Sequence, residues 1–325
     1  MTSQNSTVPP NATFVRPEFF YINGFSDIPH VQYYYMFFCF VYVVTVLGNC
    51  FIMFIIYMDR SLHTPKYVAV FNLAVVDLCG NTALIPKLID TFLLNSRYIR
   101  YEACLANMFF VHFFSCNQSL TLVVLAYDRF VAICFPLNYH VIITNTVMLV
   151  IVTVVWILTA VSIITLLVLI TRLSFCKTTV INSYFCDHGP VYRMACNDNS
   201  ANNISAIFCT VLYFIAPLVV IALSYMFIIL ALLKIASKDG RLKAMKTCTS
   251  HLILVAVFYL PICATYLAAF TGTIHPNARI INTSLATVIP PMLNPIIYTL
   301  KTEEIMEAIK KLYRRNKIHS RVMIE

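Results

Sequence analysis

Seven stretches of this chain, near residues 31–57, 67–93, 101–134, 147–170, 202–234, 244–270 and 279–300, are predominantly apolar over about 20 residues or more, the length at which an α-helix crosses the ~30 Å hydrocarbon core of a bilayer. Inside lipid the backbone N–H and C=O groups must be satisfied within the chain, so runs of this length predict spanning helices. The expected fold is an all-α membrane protein: a seven-transmembrane helix bundle over residues 31–300, preceded by a tail at 1–30 and followed by a segment at 301–325. Composition excludes an ordinary soluble domain. The 325 residues are 60% hydrophobic and only 11% charged, against about 25% charged in soluble domains.

The net charge of +9 could suggest a nucleic-acid partner, but the basic residues are dispersed and cluster only near the ends of spans. A phospholipid surface or an acidic cytosolic partner accounts for them, with no nucleic acid. Arg60, Lys66, Arg129, Lys234, Lys238, Arg241, Lys243, Lys246, Lys301, Lys310, Lys311, Arg314, Arg315, Lys317 and Arg321 fall in the presumed inner segments, fifteen of twenty-three basic residues. The positive-inside rule then places the amino terminus outside the cell and the carboxyl terminus in the cytosol, in a multi-pass plasma-membrane protein. The outer tail carries two glycosylation sequons, at Asn5 and Asn11. With no basic segment and cleavage site ahead of it, the first apolar run is expected to act as an uncleaved signal. Beyond the seventh span, Thr302 can cap a helix with Glu303 and Glu304 in its first turn. Ile305, Ile309 and Leu312 recur at i, i+4 and i+7 with basic residues after them, the pattern of a short amphipathic helix on the inner leaflet.

Polar residues interrupt this apolar background at few places. Asp128 and Arg129 stand side by side where the third span leaves the membrane, and Asn49, Asp77 and Asn294 lie at mid or inner depth. Ionisable groups near hydrocarbon cost a few kcal/mol, roughly 2.5 to 3.5 on insertion scales, so they are usually kept for function. A stop-transfer anchor is the plain alternative for Asp128 and Arg129, and a proton relay the transporter alternative for Asp77. Pro86, Pro217, Pro261, Pro290, Pro291 and Pro295 lie within spans and permit kinks. Eight cysteines (Cys39, Cys50, Cys79, Cys116, Cys134, Cys209, Cys248 and Cys263) sit in or beside apolar runs and read as small buried hydrophobes. Cys104, Cys176, Cys186 and Cys196 fall in outer segments, where three pairings are possible. Another sequon, at Asn203, lies close to the membrane. Scattered histidines, the lack of a Cys-x-x-Cys and the lack of a phosphate loop or nucleophile elbow argue against an enzyme and call for no cofactor or metal.

The run Ala126-Tyr127-Asp128-Arg129-Phe130-Val131-Ala132-Ile133-Cys134, with Pro136-Leu137 after it, resembles the inner end of the third helix of olfactory receptors, within the rhodopsin-like G-protein-coupled receptors. The resemblance continues in Leu62-His63-Thr64-Pro65-Lys66-Tyr67, in Lys243 to Leu252 and in Pro291-Met292-Leu293-Asn294-Pro295-Ile296-Ile297-Tyr298, in family order from about Gly48 to Lys311. Phe130 stands where the family commonly has tyrosine, and Met245-Lys246 replaces its usual Phe-Ser. The cysteine-rich loop and Tyr259-Leu260-Pro261 look closer to the fish-like subclass. This resemblance implies a receptor for a small-molecule odorant that activates a heterotrimeric G protein at the cytosolic face and raises cyclic AMP. A non-olfactory receptor of the same class and a seven-helix transporter or channel are the alternatives, the latter disfavoured because the two halves carry no internal repeat. It also implies the pairings Cys104–Cys186 and Cys176–Cys196, and an interior network of Asn49, Asp77 and Asn294 near Tyr298. Coupling would run through Asp128, Arg129, Tyr225, Asn294, Pro295 and Tyr298, with the arginine released toward Tyr225 and Tyr298.

For the ligand site, His112, Ser115, Cys116 and Ser119 share one helical face of the third span, Cys209 and Tyr213 one face of the fifth, and Tyr259, Cys263 and Tyr266 one face of the sixth. The resemblance turns these faces toward a central cavity roofed by the segment after Cys186. Helix-to-helix packing is the plain alternative for each. The outer sixth span offers no arginine or lysine from Ala264 to Thr273, so a mainly apolar ligand with one or two neutral hydrogen-bonding groups is expected, met by His112 and by Tyr259 or Tyr266. The topology has a direct check: an epitope tag ahead of Asn5 is expected to bind antibody on intact cells, and one after Ile324 only after permeabilisation. Surface labelling of the second tag would reverse the arrangement.

Overall fold

A computed structural model describes residues 14–25, 28, 30–93, 96–176, 178–234, 237–271 and 276–322. Seven helices within it are long and apolar enough to cross a membrane. In chain order, α1 (Val31–Met58), α2 (Pro65–Leu93) and α3 (Tyr101–Cys134) are followed by a short α4 (Tyr139–Ile142) and by α5 (Asn145–Thr171). The outer loop holds the short α6 (His188–Arg193). The fifth span comprises α7 (Ser200–Thr210), a π turn at Val211–Ile215 and α8 (Ala216–Leu233). Then come α9 (Lys238–Thr271), α10 (Pro276–Lys301) and α11 (Glu303–Val322). Asn5 and Asn11 lie outside the described residues, as does the side chain of Tyr266.

α3 is the axis of the bundle, packing against α2, α5, α8 and α9. It buries polar as well as apolar side chains, among them Asn117, Gln118, Ser119, Thr121 and Asp128. α5 is the opposite case. Val150, Val154, Ile157, Val161, Ile164 and Val168, three or four residues apart, form an outward stripe, as a helix bathed in lipid on one side should. Thr144 caps α5 by accepting the amide of Val147 at 3.2 Å.

Two of the span prolines leave a carbonyl four residues upstream without its helical donor, and the neighbouring helices supply one. Pro295 frees the carbonyl of Pro291, which accepts from Asn49 Nδ2 at 3.0 Å. Pro217 frees that of Tyr213, which accepts from Ser119 Oγ, and the π turn lies just ahead of that proline. Asn49 therefore binds the seventh span directly, whereas Asp77 binds Asn294 Nδ2 at 2.7 Å and Gln118 Nε2 at 2.8 Å. α1 and α10 meet closely here, because a Cβ on Gly48 would lie 2.8 Å from the Pro295 ring.

The tail is more structured than its polar composition predicts. Phe19–Ile22 forms β1, which pairs antiparallel with β2 (Tyr98–Arg100) and parallel with β3 (Val180–Ile181). This three-stranded sheet lies over the outer end of the bundle, and the disulfides Cys104–Cys186 and Cys176–Cys196 bind its loop, the first with Cα atoms 5.4 Å apart. Phe20, Ile22, Phe25 and Tyr184 are buried beneath it. Gly24 packs so tightly that a Cβ would sit 2.6 Å from the Ser183 carbonyl oxygen and the Tyr184 Cα. Both neighbours are backbone, so nothing flexible can yield. Gly24→Val is expected to cost about 1 to 3 kcal/mol, read as a lowered Tm in purified receptor and reduced surface display.

Candidate functional site

At the end of the bundle that carries the disulfide-bonded loop lies an outer cavity of about 530 Å³, walled by α3, α5, α6, α7, the π turn and the loop around Cys186. His112, one turn below the roof on α3, holds it in place. Its Nδ1 donates to the Met108 carbonyl at 2.9 Å, and its Nε2 faces Asp187 Oδ1 at 3.3 Å. Both ring nitrogens therefore act as donors, which is the imidazolium form. Burial would raise the Asp187 carboxyl, but the hydrogen bond and charge of His112, helped by the Gly189 amide, outweigh it and hold the group below the usual carboxylate range. Burial, reinforced by the charge of His112, pushes His188 down to about 4, so its ring is neutral at pH 7. Its Nε2 is buried and, among the described residues, has no hydrogen-bond partner. Phe185 covers His112, with ring centroids 5.6 Å apart.

A second cavity of about 270 Å³ continues inward, lined by Gln118, Phe214, Phe258, Ile262, Thr265 and Thr283 among others. It shares Ser115, Phe214 and Thr287 with the first. Of the positions expected from spacing, His112, Ser115, Cys116 and Cys209 line the outer cavity. Three others are turned away from it. Tyr213 is buried and donates from its hydroxyl to Ser162 Oγ at 2.7 Å on α5. Ser119 is spent on the Tyr213 carbonyl, so the Tyr259 hydroxyl donates to Ser119 Oγ at 2.6 Å. These side chains knit α3, α5, the π turn and α9 together beneath the cavity. Cys263 is exposed, and α9 presents Phe258, Ile262 and Thr265 instead. The sixth-span expectation was thus about one residue, or roughly 100°, out of phase. The rotation follows from the Pro261 carbonyl, which accepts from Thr265 Oγ1 at 3.0 Å and Asn282 Nδ2 at 2.9 Å and so turns this side of α9 toward α10.

The spacing argument passed over Asp187, His188 and Arg193, all on the cavity wall. Asp187 and His188 follow Cys186 directly, so the roof assignment contained them without naming them. Arg193 puts a cation at a cavity that the sixth span alone leaves without one. Asn203 lies within α7, and its Oδ1 accepts from the Tyr192 hydroxyl at 3.0 Å, so the sequon amide is part of the fold.

At the opposite end of the bundle Arg129 Nη2 lies 3.4 Å from Asp128 Oδ2, and the Tyr139 hydroxyl donates to Asp128 Oδ1 at 2.7 Å. Arg129 borders a cavity of about 240 Å³ together with Lys66, Lys246, His251, Tyr298 and Glu304. Lys66 pairs with Glu304 at 3.2 Å and Lys246 with Glu303 at 3.6 Å, so α11 bridges α2 and α9 beside that opening. Tyr225, expected as a partner of the arginine, instead binds His251 Nδ1 at 2.8 Å. The second nitrogen of His251 meets the Leu122 carbonyl at 3.0 Å. α11 buries Ile305 and Ala308 against the bundle, and Lys311 holds Asp59 at 3.1 Å. Asp59 is kept low first by the Ser61 amide, with Lys311 adding to it.

A family model described as olfactory receptor matches residues 38–316. The chain is 36% identical to olfactory receptor 1E16 of Mus musculus, over 89% of this chain and 92% of that protein. It is 37% identical to olfactory receptor 1M1 of Homo sapiens, over 91% and 95% respectively. Olfactory receptor 52K1 of Homo sapiens is 35% identical, over 95% and 99%. Among solved structures, squid rhodopsin is similar in fold, with a TM-score of 0.70 at 17% identity over 88% of this chain and 87% of that one.

The His112–Asp187 pair has a measurable consequence. Both side chains keep some solvent contact, so the charge-assisted bond is worth about 1 to 2 kcal/mol, below the range for fully buried pairs. A depressed carboxyl stabilises fully above its unfolded value of about 3.9 and loses that contribution as pH falls through the folded value. Asp187→Asn is therefore expected to lower Tm at pH 7 by about 2 to 4 °C or somewhat more, with the difference shrinking once pH drops below about 4. An unchanged Tm at pH 7 would remove the pair from the roof's support.

Proposed function

The chain belongs to the olfactory receptor family, and from that premise we propose that it binds a small, mainly apolar odorant in the outer cavity and activates a stimulatory heterotrimeric G protein, raising cyclic AMP. It is a multi-pass membrane receptor and not an enzyme. The observation that carries the reading is the continuity of α3. One helix bears His112 at the outer cavity and Arg129 at the cytosolic opening, separated by seventeen residues or ~25 Å.

A ligand acts by binding one of two arrangements more tightly. The resting arrangement has Asp128 holding Arg129, Tyr225 held by His251, and α9 tied to α11 by Lys246–Glu303. The last pair is exposed, so it contributes only about 0 to 1 kcal/mol and can open at little cost. Activation in this reading moves the inner end of α9 outward, breaks that pair and frees Tyr225. Arg129 then turns from Asp128 toward Tyr225, Tyr298 and the G protein. Asn294 and Pro295 support the movement: Asn294 is bound to Asp77, and Pro295 interrupts the α10 ladder beside Gly48. The apolar floor of Phe214, Phe258 and Ile262 suits a hydrocarbon, and the polar groups near the roof suit one oxygen-bearing head.

The test is expression in a cyclic AMP reporter line with a panel of chemically diverse volatile and water-soluble odorants. Arg129→Ala is expected to reach the surface and lose the agonist response, and Asp128→Asn to raise basal signalling. His112→Ala should shift the dose response about tenfold to the right, the equivalent of one hydrogen bond of about 1.4 kcal/mol, without loss of surface receptor. Normal signalling by Arg129→Ala would overturn the coupling mechanism. A best agonist indifferent to His112→Ala would move the site elsewhere.

A further inference from the structure

We infer that ligands reach the outer cavity sideways from the bilayer, through a seam along α7 and the π turn, and that the receptor therefore selects neutral, membrane-partitioning amphiphiles with a single hydrogen-bonding head. The inference rests on reading that cavity as the odorant site.

Toward water the cavity is roofed by Phe185, Asp187, His188 and Tyr192, in a loop that is firmly held. The sheet and its loop are anchored by the Cys104–Cys186 disulfide, buried aromatics pack beneath them, and Gly24 is wedged against the Ser183–Tyr184 backbone. The Tyr184 hydroxyl also donates to the Thr283 carbonyl at 3.3 Å and lies 3.1 Å from Thr287 Oγ1, fastening the roof to α10.

The side is different. Ile207, Val211 and Ile215 all border the cavity, yet they are 58%, 45% and 52% exposed. In a spanning helix, exposure at this depth means contact with lipid. The same three side chains thus touch the cavity and the bilayer along two turns, ~12 Å of helix. The lower two belong to the π turn, where the helix departs from α geometry.

Chemistry along this path explains the selection. An entrance bordered by isoleucine and valine is hydrocarbon, where a charged ligand would have to shed its hydration at a cost of a few kcal/mol or more. The polar groups gather at the roof: the His112–Asp187 pair, Arg193 over the Tyr192 ring at the exposed rim, and the unpartnered buried Nε2 of His188. A hydroxyl or carbonyl can meet that nitrogen as donor or acceptor according to the ring's tautomer, while the chain of the molecule lies toward Phe214 and Ile262. Medium-chain alcohols, aldehydes and ketones have this shape.

The experiment uses the full-length receptor in nanodiscs and two photoreactive probes of equal length, a diazirine-bearing octanol and a permanently charged diazirine-bearing alkyl trimethylammonium. Labelling of the peptide spanning His112 to Cys116 is followed in time by mass spectrometry. The octanol probe is expected to label it, and the charged probe at least tenfold more slowly. Ile207→Trp with Val211→Trp should slow the octanol probe at least fivefold by filling the seam. Ile207→Ala with Val211→Ala should speed it, which keeps the test decisive if the tryptophans disturb folding. Rates unchanged in both directions, or equal rates for the two probes, would overturn the lateral route while leaving the cavity as the site. Absence of octanol labelling at saturation would overturn the cavity itself and the route with it.

Discussion

A hydrogen-bonding backbone group cannot go unanswered in hydrocarbon, and the arrangement of this bundle depends on how that demand is met. Ordinary helical turns satisfy themselves. Where Pro217 and Pro295 interrupt the ladder, the freed carbonyls of Tyr213 and Pro291 become acceptors that only another helix can serve. Ser119 and Asn49 serve them. The kinks thus fix which helices touch: α3 is drawn to the π turn and α1 to α10. Polar side chains in an apolar interior are useful here because their partners are few, so each bond specifies one neighbour.

α3 gathers most of these bonds. Thr121 accepts from Asn72, which in turn accepts from Trp156 of α5, and Gln118 donates to Asp77. The ion pairs, by contrast, lie toward the two ends, His112 with Asp187 at one and Asp128 with Arg129 at the other, while Asp77 in between is held by the neutral amides of Gln118 and Asn294. An interior joined by specific but mostly neutral bonds is stiff enough to carry a displacement. The exposed pairs at the inner rim are weak enough to let one happen. The three-stranded sheet adds a third condition, since it fastens one end of the bundle and leaves α9 and α11 at the other joined by an exposed side-chain pair.

Seven spans, the amphipathic last helix and the family membership were legible in the sequence, because each rests on a local property: length of apolar run, helical spacing or a contiguous motif. Spacing also grouped His112, Ser115, Cys116 and Cys209, which line one cavity, since a helix face is a local property too. Which face looks inward is not. Tyr213 and Tyr259 have the right character for a ligand site, but Ser162 and Ser119 claim their hydroxyls, and Cys263 falls on the lipid side of a helix whose rotation Asn282 and Thr265 help to set.

Other features needed the tertiary structure outright. Phe19–Ile22 looks like part of a polar tail until strands 79 and 161 residues further along offer it partners. Asp187 acquires its role only when the disulfide and α6 bring it to His112. Tyr225 finds His251 across two helices, and Lys246 finds Glu303 only where α9 and α11 end side by side. The sequence alone determined what must lie in the membrane, because transfer of apolar and charged groups between water and lipid is decided residue by residue. The tertiary structure decided which polar groups are spent on holding helices together and which remain to face a ligand or a partner, because a hydrogen bond is settled only when its second atom is in place.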